Sequence, residues 1–124
     1  MPHRPARPRG EKGDGQVSFE LVTLPSPPGG QAITVVQIRG DVDASNAAGL
    51  HEALAELAGG ALVVDLSGVG YFDSAGFAVL DRVSSRGRVA VVVAPASVVR
   101  KAMSLMNLPF YDTIDAARAS LLPA

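Results

Sequence analysis

The sequence predicts an α/β fold in a single domain, with a mixed, mostly parallel sheet and about four helices packed on it. Three observations predict it. Strand-like and helix-like periodicities alternate along most of the chain, and such alternation brings strands parallel through right-handed crossovers. Two strand patterns lie next to each other near the start, and a short connection most simply pairs them antiparallel. The length, 124 residues, suits one domain with one core.

The elements follow in order. Residues 1–15 carry three prolines, three glycines and an excess of basic over acidic residues. Such a segment buries too little apolar surface to offset its ordering entropy, so a disordered basic tail is expected before a folded domain at 16–124. "QVSFELVTL" alternates Val17, Phe19 and Leu21 against polar neighbours, as a half-buried strand does. Pro25 to Gly30 form a breaker, and "AITVVQIRG" is a β-branched second strand ending at Gly40.

The period then changes. Ala47, Leu50, Leu54 and Leu57 recur at helical spacing, with Ser45 or Asn46 as N-cap and Gly59 and Gly60 closing the C-terminus. "ALVVDL" is a continuous apolar run, typical of a strand buried on both faces. A polar loop is expected across Tyr71 and Phe72, before a helix through Phe77, Leu80 and Val83. "RVAVVV" is another buried strand. Pro95 is expected in the first turn of a third helix ending near Asn107. A brief extended piece and a last helix from about Thr113 complete the chain.

Composition excludes several classes of function. With no cysteine, disulfide scaffolds, thiol catalysis and Cys-based zinc sites fall away, and the usage fits a reducing cytosol. Net charge is −1; basic residues are scattered without an aromatic platform, so no nucleic-acid partner is expected. No apolar run is long enough to span a bilayer, so no membrane partner is expected either.

In alternating α/β sheets, functional groups collect where strands end and helices begin. Two polar stretches sit at such junctions: "GDVDASN", with Asp41, Asp43, Ser45 and Asn46, and "DLSGVGYFDSAG", with Asp73 and Ser74. If their strands are neighbours, these residues converge on one rim. A nucleophilic serine lacks partners there. His3 is in the tail, His51 is expected at a helix surface, Lys12 and Lys101 lie elsewhere, and no Gly-x-Ser-x-Gly elbow is present. Metal-assisted phosphate chemistry at Asp41, Asp43 and Asp73 lacks the lysine that receiver domains place after a later strand. Aspartates beside helix starts more often cap or oppose the dipole. No metal site or cofactor, and no catalysis, is therefore expected.

Two readings of Ser74 remain, and they are compatible. Either Ser74 or Asp73 caps the helix, or Ser74 is a phosphoacceptor at a helix start, where backbone N–H groups favour an added phosphate. Small neighbours, Ala75 and Gly76, leave room for a kinase.

Over about residues 17–122 the chain resembles the STAS domain family, and within it the small bacterial anti-sigma factor antagonists. "RGDVDASNAAGL" is similar to that family's Gly-Glu-Leu-Asp loop and helix, and "VVDLSGVGYFDSAG" to its Asp-Leu-Ser-x-Val-x-x-x-Asp-Ser-x-Gly segment. The resemblance implies that Ser74 is phosphorylated by an anti-sigma factor that is itself an ATP-using serine kinase. Phosphorylation then releases the antagonist, and a serine phosphatase restores it. It implies that Asp43 assists binding or phosphorylation, that Asp73 and Gly76 frame the phosphoserine, and that Asp41, Ser45, Asn46, Ala75 and Phe77 complete a partner-binding surface in a cytoplasmic protein. Ala75 stands where several members carry a second hydroxyl, and Asp41 replaces the usual glutamate. The alternatives carried forward are a STAS subunit of another assembly, such as a lipid-transport ABC complex, and a small phosphate-handling enzyme.

Overall fold

The computed structural model describes residues 18–25 and 33–122. The expected tail at 1–15 and most of the Pro25–Gly30 breaker lie outside the described residues. Among the described residues, four strands form one sheet in the order β1-β2-β3-β4: β1 (Phe19–Leu24), β2 (Ile33–Val42), β3 (Ala61–Phe72) and β4 (Val89–Val92). β1 runs antiparallel to β2, while β2, β3 and β4 are mutually parallel. The helices are α1 (Ala47–Leu57), α2 (Ser74–Arg86), α3 (Arg100–Leu105) and α4 (Ile114–Leu121). The mixed sheet with four helices matches the expected fold, and the extended piece before α4 is a parallel bridge from Tyr111 to Val92.

Alternation along the strands divides the core. Val36, Ile38, Leu62, Val64, Leu66, Val91 and Val93 pack with Leu50 and Leu54 of α1, Phe77, Leu80 and Val83 of α2, and Met103 of α3. The intervening residues Ile33, Val35, Val63, Ala90 and Val92 pack against Ala117 and Leu121 of α4. The central strands are thus apolar on both faces, which is why they read as continuous apolar runs. Near the end of this second face Asp65 is buried at 5% exposure, and its carboxylate accepts from Gln37 Nε2 at 3.2 Å and from Ser67 N at 2.9 Å. Those partners offset the cost of burying it.

Several boundaries differ from expectation, each for a local reason. β2 runs past Gly40 to Val42, so Asp41 belongs to a strand. β3 runs six residues past Leu66, through the stretch expected to be a loop. It stays paired because register shifts between Gln37 and Arg39, and between Gly40 and Asp41, each insert an extra β3 residue opposite β2. The small residues of "SGVG" absorb these bulges and erase the apolar alternation that marks a strand. α1 ends at Ala58 with φ −82°, so Gly59 does not supply a left-handed cap.

α3 begins at Arg100, five residues after Pro95. Before it, Ser97 N donates to Ala94 O and Val99 N to Ser97 Oγ, so turn bonds take the backbone groups a helix would use. The end of α3 is as expected. Asn107 adopts φ 59°, Leu108 N donates to Met103 O, and Asn107 N donates to Ser104 O. That is a Schellman closure, with Leu108 packed on the cluster containing Met103. Thr113 caps α4 through Oγ1, which accepts from Ala116 N at 3.0 Å.

Candidate functional site

β2 and β3 are parallel neighbours, so the two polar stretches leave the sheet side by side. Asp41 pairs with Tyr71 and Val42 with Phe72, and Asp73 N donates to Val42 O at 3.1 Å. Asp41, Asp43, Ser45, Asn46, Asp73 and Ser74 therefore share one rim.

The β2–α1 loop is held by its own polar side chains. The Asp43 carboxylate accepts from Ser45 N at 2.7 Å and from Ser45 Oγ at 2.6 Å, a charge-assisted Asx turn. Asn46 is 2% exposed. It occupies the N-cap position, but its side chain makes no cap bond to α1; its Oδ1 accepts from Asp43 N and its Nδ2 donates to Asp41 O, both at 3.0 Å. The expected cap is instead a brace that fixes the loop from beneath. Asp41 lies on the strand, its carboxylate close over Gly70.

At the β3–α2 junction the capping question is resolved. Asp73 is the N-cap, extended in backbone, with Oδ1 accepting from Ala75 N at 2.9 Å and Gly76 N at 3.4 Å. Ser74 is the first helical residue and is exposed, and its hydroxyl takes no part in the cap. Gly76 and Phe77 are buried. The rings of Phe72 and Phe77 meet edge to face at 4.9 Å, and a Cβ on Gly76 would stand 2.9 Å from the Phe72 ring. Gly76 thus lets α2 settle onto the aromatic pair supporting Ser74. Of the expected surface residues, Asp43, Ser45, Asp73, Ser74 and Ala75 reach the rim's exterior, while Asn46 and Gly76 support it from within.

A stability test separates the two neighbours. Asp73→Ala is expected to lose about 1 kcal/mol with the cap. Ser74→Ala is expected to stay within about 0.5 kcal/mol of the parent, since no cap bond depends on its hydroxyl. Denaturant titration of both variants checks this.

Sequence reasoning missed three residues. Asp81, Met106 and Leu108 line a groove of about 260 Å³ together with Ser74, Phe77 and Ala78. Asp81 was detectable as seven residues from Ser74 on one helix face. Met106 and Leu108 belong to the turn that closes α3, and no local pattern places that turn beside α2. His51, expected at the surface, is half-buried and lines the furrow between α1 and α2 with Val83 and Arg86. Among the described residues, no group of three or more His, Asp or Glu is placed to hold a metal ion. No helix there is long and apolar enough to cross a membrane.

Fold and rim together define a small α/β module that presents a hydroxyl among carboxylates at the ends of two parallel strands. The family described as "Mlab, STAS domain" matches residues 29–109, and the chain belongs to the STAS domain family. The anti-sigma-F factor antagonist RsfB of Mycobacterium tuberculosis, in two strains, is 38% identical over 82 residues, covering 61% of this chain and 67% of the relative. An anti-sigma factor antagonist from Mycobacterium paratuberculosis has a similar structure, with TM-score 0.71 and 23% identity over 84% of this chain and 94% of that one. The anti-sigma factor antagonist SpoIIAA in its unphosphorylated form gives TM-score 0.58 and 16% identity over 86% and 100%. The two structures share the fold; the RsfB similarity extends to sequence.

Proposed function

We propose that the protein is an anti-sigma factor antagonist. In the cytoplasm it binds a kinase-type anti-sigma factor, frees the sigma factor held there, and is switched off by phosphorylation of Ser74. One observation carries the reading: Asp73 caps α2, leaving the Ser74 hydroxyl exposed at the first helical position and free of any capping duty. A phosphate there meets the N-terminal end of the helix, whose dipole favours negative charge, while Asp73 keeps the Ala75 and Gly76 N–H groups. Asp43 and Ser45 display a braced loop beside it, and Asp41, Asn46, Ala75, Gly76 and Phe77 shape the same surface.

In this reading the protein is a substrate and a ligand. The kinase supplies ATP and catalysis, and a serine phosphatase resets the switch. The RsfB relatives, whose names give the antagonist role, support it. So does the SpoIIAA structure, whose description distinguishes an unphosphorylated form of that protein.

Incubation with ATP and kinase-type anti-sigma factors, followed by mass-spectrometric mapping, tests the proposal. One phosphate is expected, on Ser74, and none on Ser74→Ala. Phosphate on another residue, or no binding or modification by any such factor, overturns it. Co-purification with a permease and its ATPase would instead assign the chain to a transport assembly.

A further inference from the structure

The groove beside Ser74 has a chemistry of its own. Its volume of about 260 Å³ falls below the roughly 300–1,000 Å³ typical of small-molecule sites, so it suits one long side chain better than a cofactor. Phe77, Ala78, Met106 and Leu108 make apolar walls, and Asp81 is the single charged residue in the lining. Among the described residues the Asp81 carboxylate has no hydrogen-bond or ion-pair partner; Ser85 Oγ donates to the Asp81 backbone oxygen at 2.8 Å. Met106 is 45% exposed and the adjacent Leu105 76%, so the apolar wall continues onto the open surface.

We propose that this groove is a socket for an arginine or lysine side chain of the protein partner, a proposal that rests on reading this face as a partner-binding surface. The methylene stem lies along Phe77, Met106 and Leu108, and the cation meets the Asp81 carboxylate. Other occupants fit worse. An apolar side chain would cover the walls but strip water from Asp81 without replacing it, and an acidic one would meet like charge. A basic side chain satisfies the walls and the carboxylate together, because its stem is apolar and its head is charged. Arginine can in addition grip a carboxylate with two hydrogen bonds.

Socket and switch occupy opposite ends of the groove. Ser74 and Asp81 are seven residues apart on α2, about 10 Å at 1.5 Å per residue. At that separation, with no hydrogen-bond partner in common, the two contributions are expected to add.

The test titrates N-acetyl-arginine amide into isotope-labelled full-length protein, with N-acetyl-norleucine amide as the uncharged probe. Saturable chemical-shift changes at Phe77, Met106 and Leu108 are expected from the arginine probe and are lost in Asp81→Asn. Asp115→Asn, an exposed acid on α4, leaves them unchanged. No changes at the groove, or equal changes in Asp81→Asn, overturn the socket. With a kinase-type anti-sigma factor, Asp81→Asn is expected to bind about ten-fold or more weakly. Combination with Ser74→Asp is expected to be additive. Equal binding by Asp81→Asn and Asp115→Asn overturns the socket while leaving the Ser74 switch intact. An arginine-specific groove on a chain that no such factor modifies shifts the fault to the functional reading. Asp81 is exposed, so both variants are expected to melt with the parent.

Discussion

Gly40→Val is expected to lower stability by about 3 kcal/mol. Gly40 sits at φ 101°, a backbone region that side chains rarely adopt. A Cβ built there would stand 2.6 Å from Ser18 O and 3.1 Å from the Cα of Phe19. Both neighbours are main chain at the start of the adjoining strand and the residue before it, so no rotamer change relieves the contact. The same Ser18 oxygen accepts from Asp41 N at 2.9 Å, and Asp41 O in turn receives the Asn46 side chain. Pushing β1 away would therefore loosen the brace under the Asp43 loop as well as the sheet edge. At roughly 4–8 °C per kcal/mol for a domain of this size, the melting temperature should fall by more than about 10 °C. Gly59→Ala is the control. Its Cβ meets nothing within 4 Å and its φ is not positive, so it should be neutral or gain up to about 1 kcal/mol. A melt of Gly40→Val matching Gly59→Ala would refute the account.

Such contrasts also show what was legible in the sequence. Strand and helix order came through because burial imposes period: Leu50 and Leu54 of α1, and Val63 and Val64 of β3, have to face apolar neighbours. That Asp43 and Ser74 leave one edge of the sheet was legible as well, since parallel neighbours bring successive strand ends together. The far half of β3 was hidden because its pairing depends on bulges tolerated by Gly68 and Gly70, and a bulge leaves no alternating pattern. Asp73 and Ser74 are both good caps, and only the backbone decides which residue is extended and which is helical. Asp81 and Met106 line one groove because the turn after α3 lies beside α2, a relation between distant segments that local propensity cannot encode.

Under the proposed role, Ser74→Asp is expected to bind a kinase-type anti-sigma factor about 30- to 150-fold more weakly than the parent, with Ser74→Ala close to it. The reason lies in what a phosphoacceptor must face. A hydroxyl that receives a phosphoryl group from ATP has to approach the nucleotide's phosphates in line. A carboxylate at the same position meets that negative charge inside a closed contact, where screening is weak. The cost corresponds to about 2–3 kcal/mol, and a phosphate of roughly −1.5 to −2 charge should cost more. Alanine introduces no charge and favours the helix, so it should preserve binding while removing the acceptor.

Stability separates this account from simple damage to α2. Because Asp73 holds the cap, neither substitution removes a structural bond, and an acid at the first helical position gains about 0.3–1 kcal/mol from the dipole. That gain roughly offsets the better helix propensity of alanine, so Ser74→Asp should fold about as well as Ser74→Ala while binding worse. Calorimetric titration against the anti-sigma factor, paired with thermal melts, reads both quantities. Equal affinities for the two variants would remove the charge switch. A Ser74→Asp protein less stable than Ser74→Ala by much more than about 1 kcal/mol would remove the geometry on which the switch depends.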